Sequence, residues 1–165
     1  MNRSITLAVS DGTNTKARTD MLLGSMMAGM AFANSPVAAV HALAYPLGGT
    51  FHIPHGLSNA LVLSEVLKFN ASDRKAAKVY ANLAQIVCPS AKKSASDYSE
   101  ALRFSQYFKA LSKSLGLPVR LRDLNIPKDA LKKLAEDAMR QTRLLVNNPR
   151  KMNEDDALKI YRSVW

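Results

Sequence analysis

Thirteen consecutive residues, Met21 to Ala33, read MLLGSMMAGMAFA and carry no charged side chain. A helix that is apolar on every side belongs inside a core rather than on its surface. The run is shorter than the ~20 residues needed to cross a bilayer. The sequence therefore predicts a buried helix from about Lys16 to Ala33, with Thr15 as its cap. Gly24, Ser25, Ala28, Gly29 and Ala33 recur at close helical spacings, and small residues so placed let neighbouring helices approach. Glycine costs about 1 kcal/mol relative to alanine within a helix, so two of them point to a packing demand.

The rest of the chain is punctuated as helices. Ser35-Pro36 has the form of a serine cap followed by proline at the first helical position. It predicts a helix PVAAVHALAY ended by Pro46 and Gly48-Gly49, then a loop TFHIP and a helix from about His55 to Phe69. Further helices are expected over 72–87, 96–115, 127–145 and 153–164, the last opened by a capping-box-like Asn153-Glu-Asp-Asp156. Alternating strand patterns and hairpin turns are missing. The fold class expected is all-α, a globular helix assembly formed as one helical domain over 1–165.

Charge and cysteine content narrow the function classes. The net charge is +10, and all of it falls between Val66 and Trp165, since Met1 to Glu65 holds three basic and three acidic residues. The basic residues are scattered among carboxylates without interleaved aromatics, which reads as a solvated surface rather than a nucleic-acid interface. Cys88 is the single cysteine, so intramolecular disulfides and cysteine-based zinc sites are excluded. Met1 to Ser10 lacks a basic-then-apolar signal pattern, and a cytoplasmic chain without membrane segments is expected.

Chemistry concentrates between residues 41 and 55. The three histidines, His41, His52 and His55, all lie there. Imidazole is the commonest protein ligand for transition metals, so a shared metal ion is one reading. A hydrogen-bonded core histidine with exposed companions is the other, and spacing alone leaves both open. Dinucleotide-binding glycine motifs, phosphate loops and nucleophile elbows are missing. Cys88 beside Pro89 reads as packing, and the seven methionines as core filler.

The segment GMAFANSPVAAVHALAYPLGGTFHIPHGLSNALVLSEVLKFN resembles a signature region of the iron-containing (group III) alcohol dehydrogenases. The likeness continues through Tyr80-Ala-Asn-Leu-Ala84, Leu115-Gly-Leu-Pro-Val-Arg-Leu121 and Val146-Asn-Asn-Pro-Arg150. The thirteen residues between His41 and His55, ending in Pro54-His55-Gly56, form its most specific part. The resemblance implies the C-terminal helical domain of a two-domain enzyme whose active site lies in the cleft beside an N-terminal NAD(P)-binding domain. It further implies that His41 and His55 are two of four ligands to Fe²⁺ (or Zn²⁺), and that Tyr45, Phe51 and His52 line the substrate and cofactor side. Tyr45 stands where many members have another histidine, and no residue is assigned a proton-transfer role. The remaining aspartate and histidine ligands and the nucleotide domain are not found here, so a truncated or excised domain is expected.

Such a chain should hold metal loosely, with His52 as a stand-in ligand, and should turn over no alcohol with NAD(P) alone. The intact enzyme would oxidise alcohols or reduce aldehydes and ketones. Uncovered apolar residues Leu43, Leu47, Phe51, Ile53 and Leu57 would drive homo-oligomer formation. The alternative is a non-catalytic helical module that oligomerises or binds a partner.

Overall fold

The computed structural model describes residues 1–89 and 95–165. Nine α-helices and one 3₁₀ turn, with no strand, are found among the described residues. No described helix is long and apolar enough to cross a membrane. The chain divides into two compact units, Met1–Val37 and Ala38–Trp165.

The first unit holds α1 (Ile5–Ser10) and α2 (Thr15–Phe32). Asn14, rather than Thr15, caps α2, its side chain accepting from the Ala17 amide at 2.9 Å. Asp20 accepts from the Ser4 hydroxyl at 2.7 Å and pairs with Lys16, which together hold its carboxyl below the usual carboxylate range. The expectation that α2 is a buried core helix fails. Ala17 is its single buried residue, while Leu22 is 75% and Met30 64% exposed. A helix apolar all round needs neighbours on all sides, and within this unit it has only the six-residue α1.

The second unit is built from α3 (Ala39–Phe51), α4 (His55–Asn70), α5 (Arg74–Val87), α6 (Asp97–Ser114), the 3₁₀ turn Leu121–Leu124, α7 (Ala130–Met139), α8 (Thr142–Leu145) and α9 (Glu154–Ser163). Helix α3 departs from the sequence expectation at both ends. It begins at Ala39 rather than Pro36, and Ser35 closes the preceding turn, its amide donating to Phe32. It also runs straight through Pro46 and Gly48-Gly49. Proline inside a helix forfeits one backbone hydrogen bond. Here Ala42, Leu43, Pro46 and Leu47 are all buried, and their burial, at roughly 25 cal/mol per Å² of apolar surface, outweighs that loss.

The helix stops instead at His52, which takes the left-handed conformation (φ 55°) and returns its amide to the Gly48 carbonyl at 3.0 Å. Histidine tolerates this region better than most side chains. Only Ile53 and Pro54 then separate α3's cap from α4, so the two helices fold back on each other.

The principal core joins α3, α4, α7 and α9 through Leu43, Leu47, Val62, Val66, Leu131, Leu134 and Tyr161. Leu43 and Leu47 are fully buried in it, and Phe51, Ile53 and Leu57 pack against it. These five residues therefore form core, not the uncovered surface expected of them. A second cluster of Leu67, Ala84, Cys88 and Phe104 closes the α4–α5–α6 side. The segment 127–145, expected as one helix, breaks at Arg140-Gln141 into α7 and α8.

Helix α9 carries the anticipated capping box: Asn153 accepts from the Asp156 amide at 2.8 Å, and Asp156 accepts from the Asn153 amide at 3.2 Å. Asn153→Ala should cost about 1 kcal/mol, read as a lowered urea midpoint at constant slope.

Candidate metal centre

Residues four apart share one face of a helix. His41 and Tyr45 form such a pair on α3, and His55 and Asn59 form another on α4. Because the α3–α4 reversal is so short, the two pairs confront each other. The His41 and His55 rings lie 5.2 Å apart between centroids. Tyr45 completes the cluster, 6.3 Å from His41 in an edge-on arrangement and 6.1 Å from His55. Both Nε2 atoms face one group: the Asn59 amide nitrogen lies 3.4 Å from His41 Nε2 and 3.1 Å from His55 Nε2.

The two imidazoles differ in their surroundings. His41 is half-buried and His55 exposed. Burial first, and the neighbouring His55 second, hold His41 below the usual imidazole range. A ligating imidazole must be unprotonated, so this environment favours the ligand form of His41.

The other residues singled out in the sequence are placed differently. Phe51 packs against the principal core, and His52 is exposed at the left-handed cap of α3. For His52 to serve as a stand-in ligand, the Gly48-Gly49 segment would have to be an adaptable loop. Those glycines lie within α3, so that flexibility is not there. Cys88 is buried, its carbonyl and sulfur both approached by the Arg103 guanidinium. Asn59 was missed in the sequence. The signal available was its position, one helical turn beyond His55.

Among the described residues, no group of three or more His, Cys, Asp and Glu side chains is arranged to hold a metal ion. Two imidazoles with converging Nε2 atoms nevertheless suit two positions of a four-ligand divalent site in chemistry and direction. The uncharged Asn59 amide marks the point on which the two Nε2 atoms converge.

The chain is 36% identical to Long-chain-alcohol dehydrogenase 1 of Geobacillus thermodenitrificans, with 100% of this chain and 41% of that protein aligned. It is 34% identical to 1,3-propanediol dehydrogenase of Citrobacter freundii, over 99% of this chain and 41% of that protein. The fold matches a crystal structure of 1,3-propanediol oxidoreductase with a TM-score of 0.90 and 32% identity, covering 99% of this chain and 42% of the other. The chain thus spans about two fifths of the length of the curated relatives it matches. Residues 1–165 also match the description of the Fe-containing alcohol dehydrogenase family, C-terminal part. An all-helical fold, identity above 30% across the chain and the family match together place this chain in the Fe-containing alcohol dehydrogenase family, as its C-terminal region.

Proposed function

We propose that this chain forms the metal-bearing helical part of an NAD(P)-dependent alcohol dehydrogenase that interconverts small alcohols with aldehydes or ketones. The observation that carries the reading is the convergence of His41 and His55 Nε2 on a single amide nitrogen, at 3.4 and 3.1 Å. The two relatives above are named as dehydrogenases of a long-chain alcohol and of 1,3-propanediol, which supports an alcohol substrate.

His41 and His55 would hold the ion, Fe²⁺ or Zn²⁺, with donors from outside α3 and α4 completing the set. A divalent cation held there would supply Lewis acidity toward an alcohol or carbonyl oxygen, the chemistry that hydride exchange with a nicotinamide requires. The chain's own residues prepare this. Burial, with the neighbouring His55, lowers the His41 pKa and so favours its unprotonated form. The fully buried Leu43 and Leu47 fix α3, which carries His41. Tyr45, 43% exposed beside both rings, borders the substrate side. His52 and Phe51 are left with less direct parts, the first at the rim and the second as packing under α3. The nicotinamide cofactor would be bound by the remainder of the enzyme.

Zn²⁺ titration of this chain tests the reading. Two ligands of four should give loose binding, and His41→Ala or His55→Ala should each weaken it at least tenfold, about 1.4 kcal/mol. Unchanged affinity in both variants would overturn the proposal.

A second reading, a module that pairs with its own copies, is favoured by α2. Leu22, Met26, Met27, Met30 and Phe32 are all more than half exposed, and isolated monomers rarely leave an apolar patch of this kind uncovered. Sedimentation should show concentration-dependent association that Met26→Asp weakens. A strict 18.1 kDa monomer at high concentration would sink it.

A further inference from the structure

Asn59 carries an imbalance that the metal reading leaves unexplained. Its Nδ2 faces both imidazoles, yet its Oδ1 is buried with no hydrogen-bond partner among the described residues. A buried amide group left without a partner costs free energy, and a donor left unmet costs as an acceptor does. An amide NH₂ has two N–H donors and can serve two acceptors at once. Turning the amide round would place Oδ1 between the rings and strand two donors in place of one oxygen, the worse outcome. With Nδ2 between them, both rings accept through Nε2 and therefore carry their proton on Nδ1. An imidazole in that tautomer already carries its proton on Nδ1 and can offer Nε2 to a cation once the Asn59 amide turns aside.

We infer that Asn59 is a positioning residue, its amide holding His41 and His55 in the Nε2-ligating tautomer with both lone pairs directed at one point. The inference rests on the metal reading above for its purpose, but its physical content belongs to the metal-free chain. Without such a donor, exposed His55 would sample both tautomers and rotate freely, as solvated imidazoles do. The four-residue offset makes the arrangement possible, because Asn59 rides on the same face of α4 as His55 and reaches across to α3.

Long-range proton–nitrogen NMR spectra of the metal-free chain, labelled with ¹⁵N-histidine, test this near pH 8, above the ordinary imidazole pKa of ~6.5. Exposed His52 serves as the internal reference. In the unmodified chain, His41 and His55 should both show the proton almost wholly on Nδ1, whereas His52 shows a mixture. Asn59→Leu should move both rings to the mixture of His52. Asn59→Asp, similar in shape but able only to accept, should invert them to the Nε2–H form. A role confined to packing would change the melting temperature without touching these tautomers. Rings that match His52 in the unmodified chain, or that ignore both substitutions, would overturn the inference. Zn²⁺ affinity indifferent to His41→Ala would instead overturn the metal reading and leave the tautomer result standing.

Discussion

Tyr161→Ala should lower the stability of the chain by about 3–5 kcal/mol, the range for truncating a large buried aromatic. Tyr161 is fully buried in the principal core. Its hydroxyl donates to the Leu43 carbonyl at 2.6 Å, across 118 residues of sequence. That carbonyl belongs to the turn of α3 just before Pro46, where the proline has already withdrawn the amide donor that Ala42 would otherwise receive. Tyr161→Phe keeps the packing and removes one hydrogen bond, so about 0.5–1.5 kcal/mol of the loss should remain. Urea unfolding followed by circular dichroism separates the two variants, and a Phe variant as unstable as the Ala variant would contradict this division.

The same residue shapes the response to alkali. Burial, with a smaller push from Asp137, raises the Tyr161 hydroxyl above its ordinary pKa of 10.0. An unfolded chain releases that proton near pH 10 while the folded chain retains it. Its contribution is therefore complete below about pH 10 and lost as pH climbs above it. Tyr161→Phe should flatten the alkaline fall in stability. Part of the fall should persist, because burial also raises Tyr80, against an opposing hydrogen bond from Asn70.

Asn148→Ala should cost about 3 kcal/mol, the second largest effect expected. Asn70, only 4% exposed at the end of α4, exchanges two amide hydrogen bonds with Asn148, at 3.1 and 2.8 Å. Asn148 also donates to the Arg150 carbonyl at 2.6 Å, and the Arg150 guanidinium donates to the Phe69 carbonyl at 3.0 Å while lying 3.8 Å over the Phe69 ring. Removing Asn148 leaves a buried donor and a buried acceptor of Asn70 unmet, at roughly 1–3 kcal/mol for each group. Replacing Asn70 and Asn148 together by leucine should recover part of the loss, since the two amides no longer strand each other, although the Arg150 carbonyl and the Tyr80 hydroxyl each lose a donor. Additive losses in the double variant would show that the pair does not act as a unit.

How far the site could be read from sequence depended on the range of the forces involved. The family likeness of the 41–55 segment, rather than spacing alone, singled out His41 and His55 together, and the capping box of α9 was legible in four consecutive residues. Helix α3 was not. Local rules end a helix at Pro46, but the burial of Leu43, Pro46 and Leu47 is set by α7 and α9, more than eighty residues away. Helix α2 failed in the opposite sense. Its composition states that the surface should be covered and says nothing of what covers it. Asn59 was hidden because an asparagine within an amphipathic helix looks like any solvated polar residue until its neighbour on the opposing helix is known.

The hydroxyl of Tyr161 on α3 also sets a schedule for biosynthesis. Helix α3 leaves the ribosome early, but the side chain that ties its Leu43 carbonyl to α9 follows 118 residues later. At about 5–20 residues per second, the interval is roughly 6–24 s. During it α4, α5 and α6 can assemble around the second cluster, while the face of α3 that later meets α7 and α9 stays uncovered. Slow elongation through this region lengthens the exposure of Leu43 and Leu47, so a nascent chain stalled before Tyr161 should be a target for chaperones that recognise short apolar helices.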